Sequence, residues 1–305
     1  MAVVTRVVDG RVCAYVLPPE VHGVLEPSVV FEAVKGDEVL DHAVTSDLGR
    51  LVYTTGDAVV SVVEGAEAWR VAFEPGADHV FHHRPGCVLS SDGREVWVFR
   101  PDAMAGRGTA DHWLVLDALT GSVRAVAELG TSGHGADQFV SPVDGRVLLS
   151  VGEGQDGCPT FLGSLSGDRL DLSPFPWSDR VVVALSPDGG CFLSVDHAGQ
   201  DDVAVHAYPS GDVLFRLTVA DFGLDPEEFF AEFVGGFLTA ETAVVAFLGE
   251  TDSGEHFTFR RVSLPDGLPG PELVTSAVSP ESVSFLGDST YVTSSSSAHP
   301  VRVRV

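Results

Sequence analysis

At 305 residues the chain has room for one large β domain or two ordinary ones, and 44% hydrophobic residues are ample for a folded core. Its formal net charge is −26, with 18 Lys and Arg against 44 Asp and Glu. That balance argues against nucleic acid as a partner, because binding a phosphate backbone needs cations to displace counterions, whereas an acidic surface attracts cations or basic proteins.

The N-terminus, MAVVTRVVDGRVCAYV, alternates apolar and polar residues and carries Asp9, so it reads as a strand pair turned at Asp9-Gly10 rather than as a signal peptide. Pro18-Pro19 ends the second strand, and 28–33 can supply a third. Strands are expected near 39–45, 51–55, 58–64 and 68–74, the first two joined by Ser46-Asp47-Leu48-Gly49. After a polar segment, 75–85, the next unit turns at Ser90-Ser91-Asp92-Gly93 and ends with strands 113–118 and 122–129. A third copy turns at Pro142-Val143-Asp144-Gly145. The clearest copy, 181–219, reads VVVALSPDGGCFLSVDHAGQDDVAVHAYPSGDVLFRLTV: four short strands in about 40 residues, the size of one propeller blade. A degenerate unit follows over 235–248 and 257–264. The last stretch, 283–305, supplies three strands and no fourth.

One segment breaks the β pattern. DPEEFFAEF places Asp225 as an N-cap, Pro226 at the first helical position and Glu227-Glu228 in the first turn, which predicts a short inserted helix near 226–233.

The first-turn glycines, Gly49, Gly93, Gly145, Gly189 and Gly287, are spaced by 44, 52, 44 and 98 residues, the last interval being two units. The period predicts an all-β chain: a single β-propeller over 1–305 built of four-stranded antiparallel blades. Seven blades are favoured and six is the alternative. The N-terminal strand completes the last blade, so that N- and C-terminal strands close the ring.

The SPDG turn and the V-x-V ending before a closing glycine, as in Val203, Val205 and Gly211, resemble WD40 and TolB-like propeller repeats over about two-thirds of the chain. That resemblance implies the propeller fold and leaves function open. No Trp-Asp dipeptide occurs, and His206-Ala207 stands in its place in the best copy. The Asp, His, Ser and Trp network of WD40 blades is therefore expected to be mostly absent.

In such a blade the first-to-second and third-to-fourth connections share one face, and here they are short: SPDG, SSDG, LTG, PSG. The other face carries long loops that hold eight of the eleven histidines: 79, 82, 83, 112, 134, 197, 256 and 299. Loops on a rigid scaffold are where binding resides. The candidate binding residues are therefore His82, His83, Arg84, Arg107, Asp111, His112, His134, Asp137, Trp177, Asp196, His197, Asp202, Glu255 and His256.

Several motifs carry no chemistry. Residues 152–157 match GxGxxG but precede a strand, so no helix N-terminus is present to hold a pyrophosphate. Asp111 and His112 are adjacent in an extended segment and point apart. Cys13, Cys87, Cys158 and Cys191 are far apart with no CxxC, which reads as small core residues and, with no transmembrane run of roughly 20 residues, as a reducing cytoplasm. One lysine (Lys35), no isoleucine and no asparagine suggest a high-GC bacterial source.

The leading expectation is a non-catalytic binding or scaffold propeller that takes a protein or peptide, in particular a basic one, on its long-loop face. The alternative is an enzyme of lactonase, lyase or cyclase type with a His/Asp-lined site at the channel mouth. No cofactor is expected, although imidazoles and carboxylates leave a divalent metal open; a small-molecule ligand is a further option, and nucleic acid and membrane are not expected.

Overall fold

Alternating apolar strands and tight polar turns produce seven antiparallel sheets. The computed structural model describes residues 2–18, 20, 22–76, 83–251, 254–294 and 299–305. Sheet 1 holds Ala2–Val8, Arg11–Leu17 and Val29–Glu32. Sheet 2 holds Asp41–Val44, Arg50–Thr54, Ala58–Val63 and Ala66–Ala72. Sheet 3 is built of Gly86–Leu89, Glu95–Arg100, His112–Asp117 and Val123–Glu128. Gly135–Val140, Val147–Gly152, Thr160–Ser166 and Arg169–Pro174 form sheet 4. Sheet 5 runs Arg180–Leu185, Cys191–Asp196, Asp202–Ala207 and Val213–Thr218. Sheet 6 has longer strands, Phe229–Thr239, Thr242–Thr251 and Gly254–Ser263, followed by Leu268–Leu273.

Sheet 7 contains Val283–Phe285, Thr290–Ser294 and Pro300–Arg304, and its fourth strand is Gly23–Val24 from the start of the chain, paired Val24 to Val301. The seam expected from the missing C-terminal strand is therefore made by an N-terminal one. Seven sheets favour seven blades over six.

By its contacts the chain divides into two compact units. One comprises residues 1–20 and 26–176 and holds sheets 1 to 4; the other comprises 21–25 and 177–305 and holds sheets 5 to 7. In sheets 2 to 5 the two middle strands are the most buried, as in Arg50–Thr54 and Ala58–Val63, while the fourth strand is largely exposed. Burying both faces of the middle strands is the main hydrophobic contribution to each sheet.

Tryptophans join neighbouring sheets of the first unit. Trp69, in the last strand of sheet 2, donates Nε1–H to the Ala118 carbonyl at 3.0 Å and lies flat against Gly121. Gly121 has φ +73°, and a Cβ there would stand 2.7 Å from the indole, so both backbone and packing require glycine. Trp113 is fully buried, packs on Trp97 at a centroid distance of 5.0 Å, and sits where any side chain at Gly163 would collide with it.

The inserted helix is not formed. Asp225 caps one turn, with Glu227 N–H on Oδ1 at 3.0 Å and Phe229 N–H on its carbonyl at 2.8 Å. From Phe229 the chain is strand, paired with residues 247–249. One turn of helix leaves most of its hydrogen bonds unmade, whereas the strand gains a ladder and lays the Phe229 ring over Gly249. The long loop expected around 250–256 is also replaced: strands run through Thr251 and restart at Gly254, placing His256 inside a strand.

Candidate functional site

The sequence-derived candidates divide into groups already engaged and groups left accessible. In the first unit Asp111 is fully buried and serves its own loops, accepting from Ala103 N–H (3.2 Å), Thr131 Oγ1–H (2.9 Å) and Gly133 N–H (2.5 Å). His112 turns the other way, with Nδ1 2.7 Å from Asp102 Oδ2, a carboxylate that also takes the Arg100 guanidinium. Arg107 donates to the Glu74 and Gly56 carbonyls (2.7 and 2.6 Å) and lies over the Phe73 ring; burial lowers its pKa. His83 Nε2 is 3.4 Å from the Gly56 carbonyl, and the His134 ring lies beside Gly154. His82 lies outside the described residues, as does the side chain of Glu255.

In the second unit Asp196 accepts the Gly199 and Gln200 N–H groups and so shapes its own loop. His197 stacks on Phe233 and His256 meets Phe229 edge-on at 4.9 Å. Asp202 pairs with Arg180 at 2.5 Å. Trp177 packs on His206 at 5.2 Å.

That pairing belongs to a buried network the sequence reading did not anticipate. Arg180 is 1% exposed and donates Nε–H to Ser194 Oγ at 2.7 Å. Ser194 Oγ lies 2.8 Å from His206 Nε2, and His206 Nδ1 lies 3.0 Å from the Gly211 carbonyl. A carbonyl can only accept, so Nδ1 carries the proton and Nε2 accepts from the serine hydroxyl. Every hydrogen bond of this imidazole is thus made in its neutral form. Burial, aided by the nearby Arg180 charge, holds its pKa down at about 4. Sheet 5 therefore has a serine–histidine network with Asp202 and Trp177 beside it, where the missing Trp-Asp dipeptide had suggested that such networks are mostly absent.

Of the accessible hollows of the first unit, one of about 690 Å³ lies among the short turns, with Asp47, Asp92 and Arg94 in its lining, and another, of about 350 Å³, is lined by the first strands of sheets 2, 3 and 4. Asp41, His42, Cys87, Asp137 and Gln138 contribute its polar groups. Most of these sit toward the starts of their strands, the ends reached from the long loops. Asp41 is held in place: Oδ1 accepts the His42 N–H at 2.8 Å and Oδ2 the Cys87 N–H at 2.8 Å. Gln138 is fixed by Trp113, whose Nε1–H donates to Oε1 at 2.8 Å. Gly86 keeps this wall thin, since a Cβ there would lie 3.3 Å from Asp41 Oδ2 and 3.6 Å from Gln138 Nε2.

Asp137 differs from these. Among the described residues no hydrogen bond or ion pair engages its carboxylate, which reaches solvent inside the hollow. Surrounding protein raises its pKa, the Asp41 charge raises it further, and Arg84 opposes the rise. Arg84 itself is tied to the Leu40 carbonyl through Nε (2.9 Å) and Nη2 (2.6 Å). His42 Nε2 is buried without a hydrogen-bond partner, and burial lowers the pKa of that ring. Of the sequence candidates, Asp137 alone lines the hollow and Arg84 acts on it electrostatically. Asp41, His42 and Gln138 were missed because they lie in strands; the available signal was polar residues in first strands, DHAV and GADQFV, where middle strands are apolar.

Among the described residues no group of three or more His, Cys, Asp or Glu side chains is placed to hold a metal ion. The hollow offers two carboxylates, an amide and a neutral imidazole, a set suited to receiving a cationic hydrogen-bond donor.

No family model matches the chain, and no curated protein matches it in sequence. Solved structures do. The chain is similar to the WD40 β-propeller domain of Doa1, with 16% identity, 98% of this chain and 88% of that one covered, and a TM-score of 0.58. It is similar to BamB from Moraxella catarrhalis, with 13% identity, coverage of 88% and 73%, and a TM-score of 0.51. It is also similar to the dihydro-heme d1 dehydrogenase NirN in complex with DHE, with 15% identity, coverage of 97% and 58%, and a TM-score of 0.57. At such identities the likeness is one of fold: the chain is a divergent, all-β, seven-bladed propeller with four-stranded antiparallel blades, one of them reduced to three strands. A WD40 domain and a dehydrogenase sharing that fold show that fold alone assigns no task.

Proposed function

We propose that this propeller is a binding module for a protein or peptide, and that it takes a lysine or arginine side chain of that partner at the Asp41–Asp137 end of the hollow. The observation that carries the reading is the Asp137 carboxylate: it is unpaired among the described residues and repelled by Asp41. A cation placed between the two removes that repulsion and gains charge-assisted hydrogen bonds. Gln138 adds neutral hydrogen-bonding capacity, and the net charge of −26 steers a basic partner toward the molecule.

The test is calorimetric titration with a tetralysine peptide, beside its fully Nε-acetylated counterpart, at low and high salt. Binding of the charged peptide alone, weakening with salt and lost by about tenfold or more in a D41N/D137N double variant, is the expected result. Equal affinity for the double variant, or for the acetylated peptide, would overturn the reading.

A further inference from the structure

We propose that sheet 1 is completed by an extended, basic segment of a partner protein, which adds as a fourth strand along Val29–Glu32. Six of the seven sheets have four strands, and sheet 1 stops at three, in the order Ala2–Val8, Arg11–Leu17, Val29–Glu32. Among the described residues no strand pairs with the outer edge of Val29–Glu32. Backbone N–H and C=O groups on such an edge are met by water or by another strand.

The chain's own flanks are committed elsewhere. On the N-terminal side, Gly23–Val24 is the fourth strand of sheet 7. On the C-terminal side, the chain turns at Val34–Asp37 and is fastened to sheet 2. Val34 N–H donates to Tyr53 Oη at 3.0 Å, Tyr53 donates to Asp37 at 2.5 Å, and Arg70 Nη2 donates to Asp37 at 2.7 Å. Neither flank is left to fold back over the edge.

The edge also lacks the proline protection found in sheet 6. The outer strand of sheet 6, LPGPEL, carries two prolines, which cannot donate to an added strand. Val29–Glu32 reads VVFE, has no proline, and leaves Val30 41% exposed. Its four residues set the length of pairing at one short segment, the scale of peptide recognition by strand addition.

Charge selects the occupant. Glu26, Glu32 and Glu38 are exposed in and beside this strand in sequence, against Lys35, the only lysine of the chain, and Arg11, which stands opposite Glu32 on the neighbouring strand. A second copy would bring another net charge of −26 to the same place and be repelled. A segment alternating apolar residues with Lys or Arg sets its apolar side chains over Val30 and its cations beside Glu32.

Hydrogen exchange of the full chain tests this, with two synthetic eight-residue probes: alternating valine and arginine, and alternating valine and glutamate. Saturating valine–arginine peptide is expected to slow exchange of the amides at 29–33 by about tenfold or more, with no change at 213–218, the outer strand of sheet 5. Glu32 is exposed and faces Arg11 across the strand pair, so E32Q, which adds no like charge there, is the variant used; unchanged exchange at 50–54 checks its fold, and the preference for the valine–arginine peptide over the valine–glutamate one is expected to shrink. Three outcomes would overturn the proposal: no protection at 29–33, equal protection by both peptides, or the same protection in peptide-free protein on concentration alone, which would mean self-pairing.

Discussion

His206 in sheet 5 and His42 in sheet 2 are both held neutral by burial, yet their neighbours use them in opposite ways. At His206 both ring nitrogens have partners, the serine that bonds it also bonds Arg180, and Arg180 is neutralised by Asp202. At His42 one ring nitrogen has no partner, and the carboxylate across the hollow, Asp137, has none either among the described residues. The same residue types therefore form a network closed around its imidazole in one place, where Arg180 Nη1 alone among those four side chains lacks a partner, and an open one in the other. A buried polar network that satisfies nearly all its members fixes structure; unspent hydrogen-bonding capacity beside a hollow is where an incoming ligand gains free energy.

The comparison breaks most decisively at Asp202. Replacing it with alanine leaves the Arg180 guanidinium buried without its counter-charge, because Ser194 supplies only neutral acceptors. We expect D202A to lose about 3–5 kcal/mol in urea unfolding. A loss below about 1 kcal/mol would mean that solvent reaches Arg180 and that the network is not closed.

The next largest effect is on pH. The folded-state pKa of His206 is about 4 against 6.5 for the free side chain. Between those values the unfolded chain binds a proton that the folded chain refuses, so stability is lost as pH falls from about 6.5 to about 4. The shift corresponds to roughly 3 kcal/mol over that interval. H206Q keeps one donor and one acceptor but does not titrate, so its stability should be flatter across the same window. Some slope persists from His42, whose pKa is lowered too. Carboxylates with lowered pKa values, such as Asp188 in its Ser-Pro-Asp-Gly turn, act around and below the free carboxylate value of 3.8, whereas Asp111 and Asp137, whose pKa values are raised, gain stability as pH falls and oppose the histidines. These groups are common to wild type and H206Q, so equal slopes for the two from pH 6.5 to 4 would open the closed network in this account.

Which side of this divide a residue falls on was only partly legible in the sequence. The blades were legible because their turns are local: Ser186 and Gly190 both bond Asp188, Ser90 bonds Asp92, and Gly93, Gly145 and Gly189 take positive φ. One turn departs from the rule, since Leu48 rather than Gly49 adopts positive φ in Ser46-Asp47-Leu48-Gly49. Asp111 and Asp196 were legible as loop carboxylates, but not as carboxylates consumed by their own loops, because those partners, the Thr131 hydroxyl apart, are backbone N–H groups that any residue supplies. The network of Arg180, Ser194, Asp202 and His206 spans three strands and exists only once register aligns them. The short DPEEFF segment carried real helix-start signals, and they were spent on a single turn because an eight-residue helix had to compete with a strand ladder.

The smallest effect tests the open side. At neutral pH Asp137 is charged against its surroundings: protein mass and Asp41 both favour the protonated form more than Arg84 disfavours it. A carboxyl whose pKa is raised on folding contributes stability below the unfolded value and loses it as pH rises through the folded one. Wild-type protein at pH 7 therefore carries a penalty that D137N lacks. The variant should match the wild type near pH 3.5 and exceed it slightly at pH 7, by less than about 1 kcal/mol, while losing affinity for tetralysine. If D137N is instead less stable at pH 7, Asp137 is bonded as Asp202 is, and the hollow is a second closed network rather than a place for a ligand.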